Sequence, residues 1–176
     1  ARRANGVAQL HKQTARDMWE HVDDKAPILG ITNGVHRPTW VDDRMVEAFE
    51  AEDKSQIWSA HQEIKRELLA YTEEKTGTSL AEDKLLLGFA RRAVPYKRSD
   101  LIFSKPEIID EYLNAGKIQI IFSGKAHPLD DKGKEIVATL VEMSEKYPES
   151  VAFIEDYDMQ TGKLLTRGCD VWLNNP

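Results

Sequence analysis

Apolar positions early in the chain, at Val7, Leu10, Ala15, Met18 and Trp19, approximate one face of a helix. They predict a helix over residues 5–22 with Asn5 as its N-cap. Pro27 interrupts the pattern, and Ile28-Leu29-Gly30-Ile31-Thr32 predicts a short strand. The next stretch, Asn33-Gly34-Val35-His36-Arg37-Pro38, carries turn chemistry. Helical spacing returns over residues 43–50 and 55–75, where Ile57, Trp58, Ile64, Leu68 and Tyr71 line one side. Gly77 suits the position just past that helix.

From Lys84 onward the pattern changes. Leu85-Leu86-Leu87-Gly88-Phe89-Ala90 is a continuous apolar run, the mark of a strand covered on both faces. Helical spacing follows over residues 96–103 and 106–114, then a second buried strand, Ile118-Gln119-Ile120-Ile121-Phe122. A helix over residues 130–146, a strand over 151–154, a short helix over 159–165 and a strand over 170–173 complete the series. Strand–helix alternation at this spacing predicts βαβ units, hence an α/β fold with a parallel, Rossmann-like sheet flanked by helices. Residues 1–26 read as all-helical, and the α/β region opens near Ile28, which puts the domain division at 26/27. Internal repeats and low-complexity stretches are absent from the sequence.

Composition narrows the function classes. The chain has 176 residues, with 24 Lys+Arg against 30 Asp+Glu and a net charge of −6, which argues against nucleic acid or an anionic membrane as its main partner. A chain of this length buries about 70% of its unfolded surface, so it needs no disulfide or metal staple. No apolar run approaches the ~20 residues of a membrane helix, and no signal peptide is visible. The single cysteine, Cys169, cannot form an internal disulfide, and a reducing cytoplasm is the expected compartment. The chain opens at Ala1 inside a helical pattern and closes at Asn174-Asn175-Pro176 after an apolar run, so it reads as an internal piece of a longer protein.

Ligands of parallel α/β sheets bind beyond the C-terminal ends of the strands, near helix N-termini. Three such ends carry candidate chemistry. After the Leu85 strand come Arg91-Arg92, then Tyr96-Lys97-Arg98 at the next helix start. Arginine suits bidentate phosphate contact, lysine supplies a point charge and a helix start adds free N–H donors, so the cluster predicts an anion site. A solvated basic loop is the competing reading. After the Ile118 strand, Ser123-Gly124-Lys125-Ala126-His127-Pro128 lacks the spaced glycines and Lys-Ser/Thr pair of a phosphate-binding loop and reads as a tight turn. Glu155-Asp156-Tyr157-Asp158 ends the third strand; its acids read mostly as helix caps, with Tyr157 the residue best able to pack on a ligand. His11, His21, His36, His61 and His127 lack metal-ligand spacing, so no metal site is expected. Cys169, Trp19 and Trp58 read as core residues, whereas Trp40 follows a turn-rich loop where burial is less automatic.

Five motifs in register resemble the α-glucan (glycogen and maltodextrin) phosphorylases, above all their shorter bacterial and archaeal branch. They are Asn5-Gly6-Val7-Ala8-x-Leu10-His11, Ile31-Thr32-Asn33-Gly34-Val35-His36-x-Pro38-x-Trp40, Gly88-Phe89-Ala90-Arg91-Arg92-x-x-x-Tyr96-Lys97-Arg98, Gly124-Lys125-Ala126-His127-Pro128 and Glu155-Asp156-Tyr157. The resemblance runs across nearly the whole chain. It implies a two-domain glycosyltransferase fold of the GT-B kind, with residues 1–26 as the helical end of the first domain and 27–176 as the first part of the second.

The activity implied is phosphorolysis of terminal α-1,4 glucosyl units, with α-1,4-glucan and inorganic phosphate as partners. Pyridoxal 5′-phosphate is the implied cofactor, serving through its phosphate group. Carried over residue by residue, Arg92 and Lys97 match the family's phosphate-binding pair, and Arg91 the basic residue beside them. Asn33 matches the asparagine on the glucosyl unit, Val7 a residue close to the sugar, and Trp40 and Tyr157 aromatics that pack near the cofactor. Family enzymes often form homo-oligomers, although no interface is legible here. The family's cofactor-anchoring lysine lies in a Glu-Ala-Ser-Gly-Thr-like segment not found among residues 1–176, so the chain alone is expected to be inactive. Ala93-Val94-Pro95 departs from the family loop, and Pro95 is expected to stiffen it. Two other functions fit the same plan: a nucleotide-sugar transferase of the starch or glycogen synthase kind, and a non-catalytic carbohydrate-binding module.

Overall fold

The computed structural model describes residues 2–175; Ala1 and Pro176, which open and close the chain above, lie outside the described residues. The folded chain divides into two compact units, Ala1–Arg37 and Pro38–Pro176.

The first unit holds strand β1 (Ala4–Gly6), helix α1 (Gln9–Met18) and strand β2 (Ile28–Gly30). β1 and β2 are parallel, with Ala4 opposite Ile28 and Gly6 opposite Gly30. This corrects the all-helical reading of residues 1–26. Asn5 lies inside a strand and caps nothing, because its neighbours find their hydrogen-bond partners in β2 and helical backbone begins only at Gln9. No residue of α1 is buried and Trp19 is 50% exposed, so this apolar stripe does not form a core within the unit.

The short helix α2 (Arg37–Trp40) straddles the division and leads to α3 (Asp43–Glu50) and α4 (Lys54–Thr76). Local chemistry sets their ends. Asp42 accepts from the Arg44 amide, Asp53 from the amides of Ser55 and Gln56, and Gly77 closes α4 with φ 73° in the left-handed region glycine tolerates best. Strand β3 (Leu85–Ala90) follows. Two 3₁₀ turns, Pro95–Lys97 and Leu101–Phe103, stand where helical spacing predicts a single helix over 96–103. Arg98, at φ 48°, breaks the helical path between them. Then come α5 (Pro106–Asn114), β4 (Ile118–Ser123), α6 (Asp131–Lys146), β5 (Val151–Ile154), α7 (Met159–Gly168) and β6 (Val171–Trp172).

The four strands from β3 to β6 make one all-parallel sheet in the order β5-β4-β3-β6. Alternation along them fills two cores. Leu87, Phe89, Ile120, Phe122, Val151 and Phe153 face one side with Ile109 and Leu113 of α5 and Leu140 of α6. Leu86, Ile121, Ala152 and Ile154 face the other with Leu68 and Leu69 of α4 and Leu164 and Leu165 of α7. Helices thus cover both faces, as continuous apolar strands require. Trp58 does not join either core: it is 62% exposed, its ring 5.7 Å from that of His61.

A charge sits between α4 and the sheet. Lys65, 3% exposed, places Nζ 2.7 Å from Asp170 Oδ2 and donates to the Lys84 carbonyl. The Asp170 carboxylate also meets His61 Nε2 at 2.7 Å and accepts from the Leu86 amide. Burial raises the Asp170 pKa, but hydrogen bonds from Lys65, His61 and Leu86 outweigh it and hold the carboxyl below its ordinary value.

Candidate functional site

The strand order makes β3 and β6 the switch point of the sheet. The chain winds from β3 outward through β4 to β5, then returns through α7 to lay β6 on the opposite side of β3. The C-terminal ends of β3 and β6 therefore lie side by side at the switch point, the place where open parallel sheets bind ligands. The basic run of the sequence leaves β3 at this point.

Backbone packing fixes the run. Ala93 donates its N–H to the Lys125 carbonyl at 3.0 Å, tying the loop after β3 to the loop after β4. That approach needs two residues without side chains. A Cβ on Gly124 would lie 2.2 Å from the Arg91 carbonyl oxygen, and one on Gly133, in the first turn of α6, would lie 2.4 Å from that of Ala93. Asp130 caps α6 by accepting from Gly133 N at 3.0 Å.

The segments leaving β3 and β6 hold each other. Arg91 Nη1 donates to Asn174 Oδ1 at 3.0 Å and to the Asn175 carbonyl at 3.1 Å. Asn175 Nδ2 in turn donates to the carbonyls of Lys97 and Arg98. Lys97 lies in the first 3₁₀ turn, its Nζ 4.7 Å from the centre of the Tyr96 ring. Arg92 is exposed on the same loop. Arg91, tied to Asn174 and Asn175, exposed Arg92 and Lys97 thus all lie on the loop leaving β3 at the switch point, and three cations so placed suit a phosphate or another compact anion. Asn174 and Asn175 escape sequence reasoning, since an asparagine pair before proline signals only a turn.

Tyr157 follows the neighbouring strand β5. Its hydroxyl rests on α7 at Gly162, where an added Cβ would approach it to 2.4 Å. Asp158 caps α7 by accepting from Thr161 N at 2.8 Å, and this hydrogen bond holds its carboxyl below the ordinary range. Glu155 and Asp156 are exposed, and Lys125 Nζ stands 3.7 Å from Asp156. His127 Nδ1 accepts from the Leu129 amide, consistent with the tight-turn reading of that segment.

Trp40 is half-buried on α2, and its neighbourhood is built by Arg167 of α7. The Arg167 guanidinium donates to the carbonyls of Pro38, Thr39, Trp40 and Val41, at 3.4, 2.9, 3.3 and 2.9 Å, and to Asp42 Oδ2 at 3.1 Å. A four-residue helix cannot satisfy its own last carbonyls, and a cation at its C-terminus supplies the missing donors. Asp42 also pairs with Arg44, whose hydrogen bond is the main cause of its lowered pKa, and Arg44 reaches Glu67 of α4. α7 spans about 15 Å, and the Trp40 backbone is gripped at the end opposite Tyr157.

Val7 and Asn33 belong to the first unit, where the β1–β2 ladder continues past its strands and brings them together. Ile31 N donates to the Gly6 carbonyl and Asn33 N to the Val7 carbonyl at 3.1 Å. Val7 N donates to His11 Nδ1, and both candidate side chains are exposed. Among the described residues no group of His, Cys, Asp and Glu gathers as metal ligands, and no helix is long and apolar enough to cross a membrane.

Over the whole length of the chain, known proteins align with it. It is 33% identical to the glycogen phosphorylase of Aquifex aeolicus over 100% of its length, and 31% identical to the maltodextrin phosphorylase of Thermococcus litoralis over 98%. The glycogen phosphorylase of Mycobacterium tuberculosis is 31% identical over 100% of the chain. In sequence, this chain belongs to the glycogen and maltodextrin phosphorylase family. It spans 26% to 32% of the length of these relatives, so the family likeness rests on one segment of a larger phosphorylase plan. The aligned stretch runs to 220 or 221 positions in the two glycogen phosphorylases against 176 residues here, so they carry additional residues within the phosphorylase segment. No family model matches the chain.

Proposed function

We propose that this chain is a segment of an α-1,4-glucan phosphorylase that cleaves terminal glucosyl units with inorganic phosphate and releases glucose 1-phosphate. In that reaction a phosphate oxygen bonds to the anomeric carbon, the bond from that carbon to the next sugar's O4 breaks, and O4 takes up a proton. Charge builds on a phosphate beside an oxocarbenium-like sugar, and preorganised cations are the most effective stabiliser of such charge. The observation that carries the reading is the joint presentation of Arg91, Arg92 and Lys97 at the switch point between β3 and β6.

In this reading Arg92 and Lys97 hold the substrate phosphate. Arg91 with Tyr157 and Trp40 serves the cofactor side, and Asn33 and Val7 serve the glucosyl unit. Pyridoxal phosphate fits the donor set through its phosphate, since three cations in seven positions suit a dianion. When bound it supplies a second phosphate group that takes part in proton transfer. Residues 1–26 close the first domain of the longer fold and 27–176 open the second, and the enzyme acts in the cytoplasm on glycogen or maltodextrin.

The test is release of glucose 1-phosphate from maltodextrin by the longer protein carrying this segment, with and without phosphate and pyridoxal phosphate. Release that needs both is expected, while the 176-residue chain alone releases none. Absence of release by the longer protein under every condition overturns the reading and favours a nucleotide-sugar transferase or a non-catalytic module.

A further inference from the structure

We infer that Asn175 is a positioning residue for Lys97, locking the cationic turn after β3 to the end of β6; the inference rests on the phosphate-site reading above. Lys97 sits in a turn of only three residues, closed by Lys97 N to the Val94 carbonyl at 3.0 Å and Arg98 N to the Pro95 carbonyl at 3.1 Å. A turn this short has little stability of its own. It also ends on Arg98 at φ 48°, a left-handed conformation costly for a residue with a Cβ. Something outside the turn must hold it.

Asn175 meets that need. Its side-chain amide donates to the carbonyls of both Lys97 and Arg98, at 3.4 and 2.5 Å, and so grips the two peptide units on either side of the left-handed residue. Asn175 is anchored in turn: its carbonyl accepts from Arg91 Nη1 at 3.1 Å, and Asn174 Oδ1 accepts from the same nitrogen. The links form a closed circuit from the end of β3, through the end of β6, to the turn bearing Lys97. A simple solvated basic loop has no such circuit. The circuit makes the separation of the cations a property of the β3–β6 pairing, and a phosphate held by Arg92 and Lys97 needs that separation constant. In this arrangement Arg91 acts as the tie.

The test compares Asn175→Leu, which keeps size and neutrality but removes the donor, with Asn175→Gln, which keeps the donor on a longer arm, and Asn174→Ala. Amide exchange of Lys97 and Arg98 should quicken at least tenfold in Asn175→Leu, while the core amides of β4 stay as protected as in the wild type. Asn175→Gln and Asn174→Ala should show smaller effects. In the longer protein, KM for inorganic phosphate should rise at least fivefold in Asn175→Leu, with kcat changing less. Unchanged exchange at Lys97 and Arg98 overturns the inference. So does quicker exchange with an unchanged phosphate KM. Failure of the wild-type protein to use phosphate at all refutes the phosphorylase reading instead, and the exchange measurement on the chain still decides whether Asn175 holds the turn.

Discussion

Replacing Arg167 by alanine tests how much one side chain does for the start of the second unit. The substitution removes donors to four carbonyls and to Asp42, from a side chain 15% exposed. Pro38 and Val41 are exposed, so water replaces the guanidinium at those oxygens at little cost. The bonds to Thr39, Trp40 and Asp42 are partly buried, and a lost bond of that kind costs about 1 kcal/mol. Asp42 keeps Arg44 at 2.8 Å, so no charge is stranded and the larger penalty of an orphaned buried ion does not apply. The loss is therefore about 3 kcal/mol, roughly 6–12 °C in melting temperature for a domain of this size. Urea denaturation reads it as a fall in midpoint at constant m-value. Arg167→Lys should recover less than half, because a point charge with three donors cannot span five acceptors. A loss under about 1 kcal/mol, or full recovery by lysine, would refute the argument that the guanidinium fork organises α2.

Asp170→Asn removes the charge that neutralises Lys65, whose side chain is 3% exposed, and should destabilise the fold by about 3–5 kcal/mol in urea denaturation. A second change, Lys65→Met, should return part of the loss, and strict additivity of the two would count against a coupled pair. Burial pushes the Cys169 thiol up to about 11, so alkylation at pH 8 should run about a hundredfold slower than for a free thiol near 8.5; equal rates would contradict its packing against the sheet. The acid limb follows from Asp42, held below its ordinary value chiefly by the Arg44 hydrogen bond, and from Asp158, held down chiefly by the Thr161 amide. A depressed carboxyl contributes its full stability above the unfolded value near 4 and loses it as pH falls through the lower folded value. The urea midpoint of Asp42→Asn should accordingly lie below wild type at pH 7 and converge with it as pH falls through the lowered folded-state value.

The second unit was legible because its strands carry unbroken apolar runs and its helices carry their own end signals. Leu85–Ala90 and Ile118–Ser123 fall where continuous hydrophobicity predicts buried strands, and Gly77 ends α4 as its position implies. The basic loop was legible as chemistry, since cations at a strand end need no tertiary information to be noticed. Contacts between distant residues were not. Residues 4–6 read as helical until β2 supplies a partner 24 positions later, which local spacing cannot encode. Residues 96–103 keep a helical apolar rhythm, yet Arg98 breaks the helical path and the turn is held by Asn175 from beyond the neighbouring strand β6. Trp58 has the spacing of a core residue and none of the burial, because periodicity identifies a face of α4 without saying what covers it. Arg167 carries no sequence signal, because a lone arginine late in a helix has no pattern and its importance lies in the carbonyls and the Asp42 carboxylate it meets.

The candidate residues of the two units obey one rule. Val7 and Asn33 lie one and three positions past the paired parallel strands β1 and β2, and are joined by a ladder bond that continues past them. Arg91 and Asn175 lie one and three positions past the paired parallel strands β3 and β6, and are joined by a side-chain hydrogen bond from the Arg91 guanidinium to the Asn175 carbonyl. In each case the residues just past the strand pair carry the candidate chemistry, held by backbone and side-chain hydrogen bonds instead of by burial in a core. A substitution inside a strand such as β4 therefore acts on stability, whereas one placed just past a strand end acts on the presentation of charge and hydrogen-bonding groups. Asn175 is the sharpest instance: it contributes little to either core, yet it holds the turn that carries a cation 78 positions earlier in the chain.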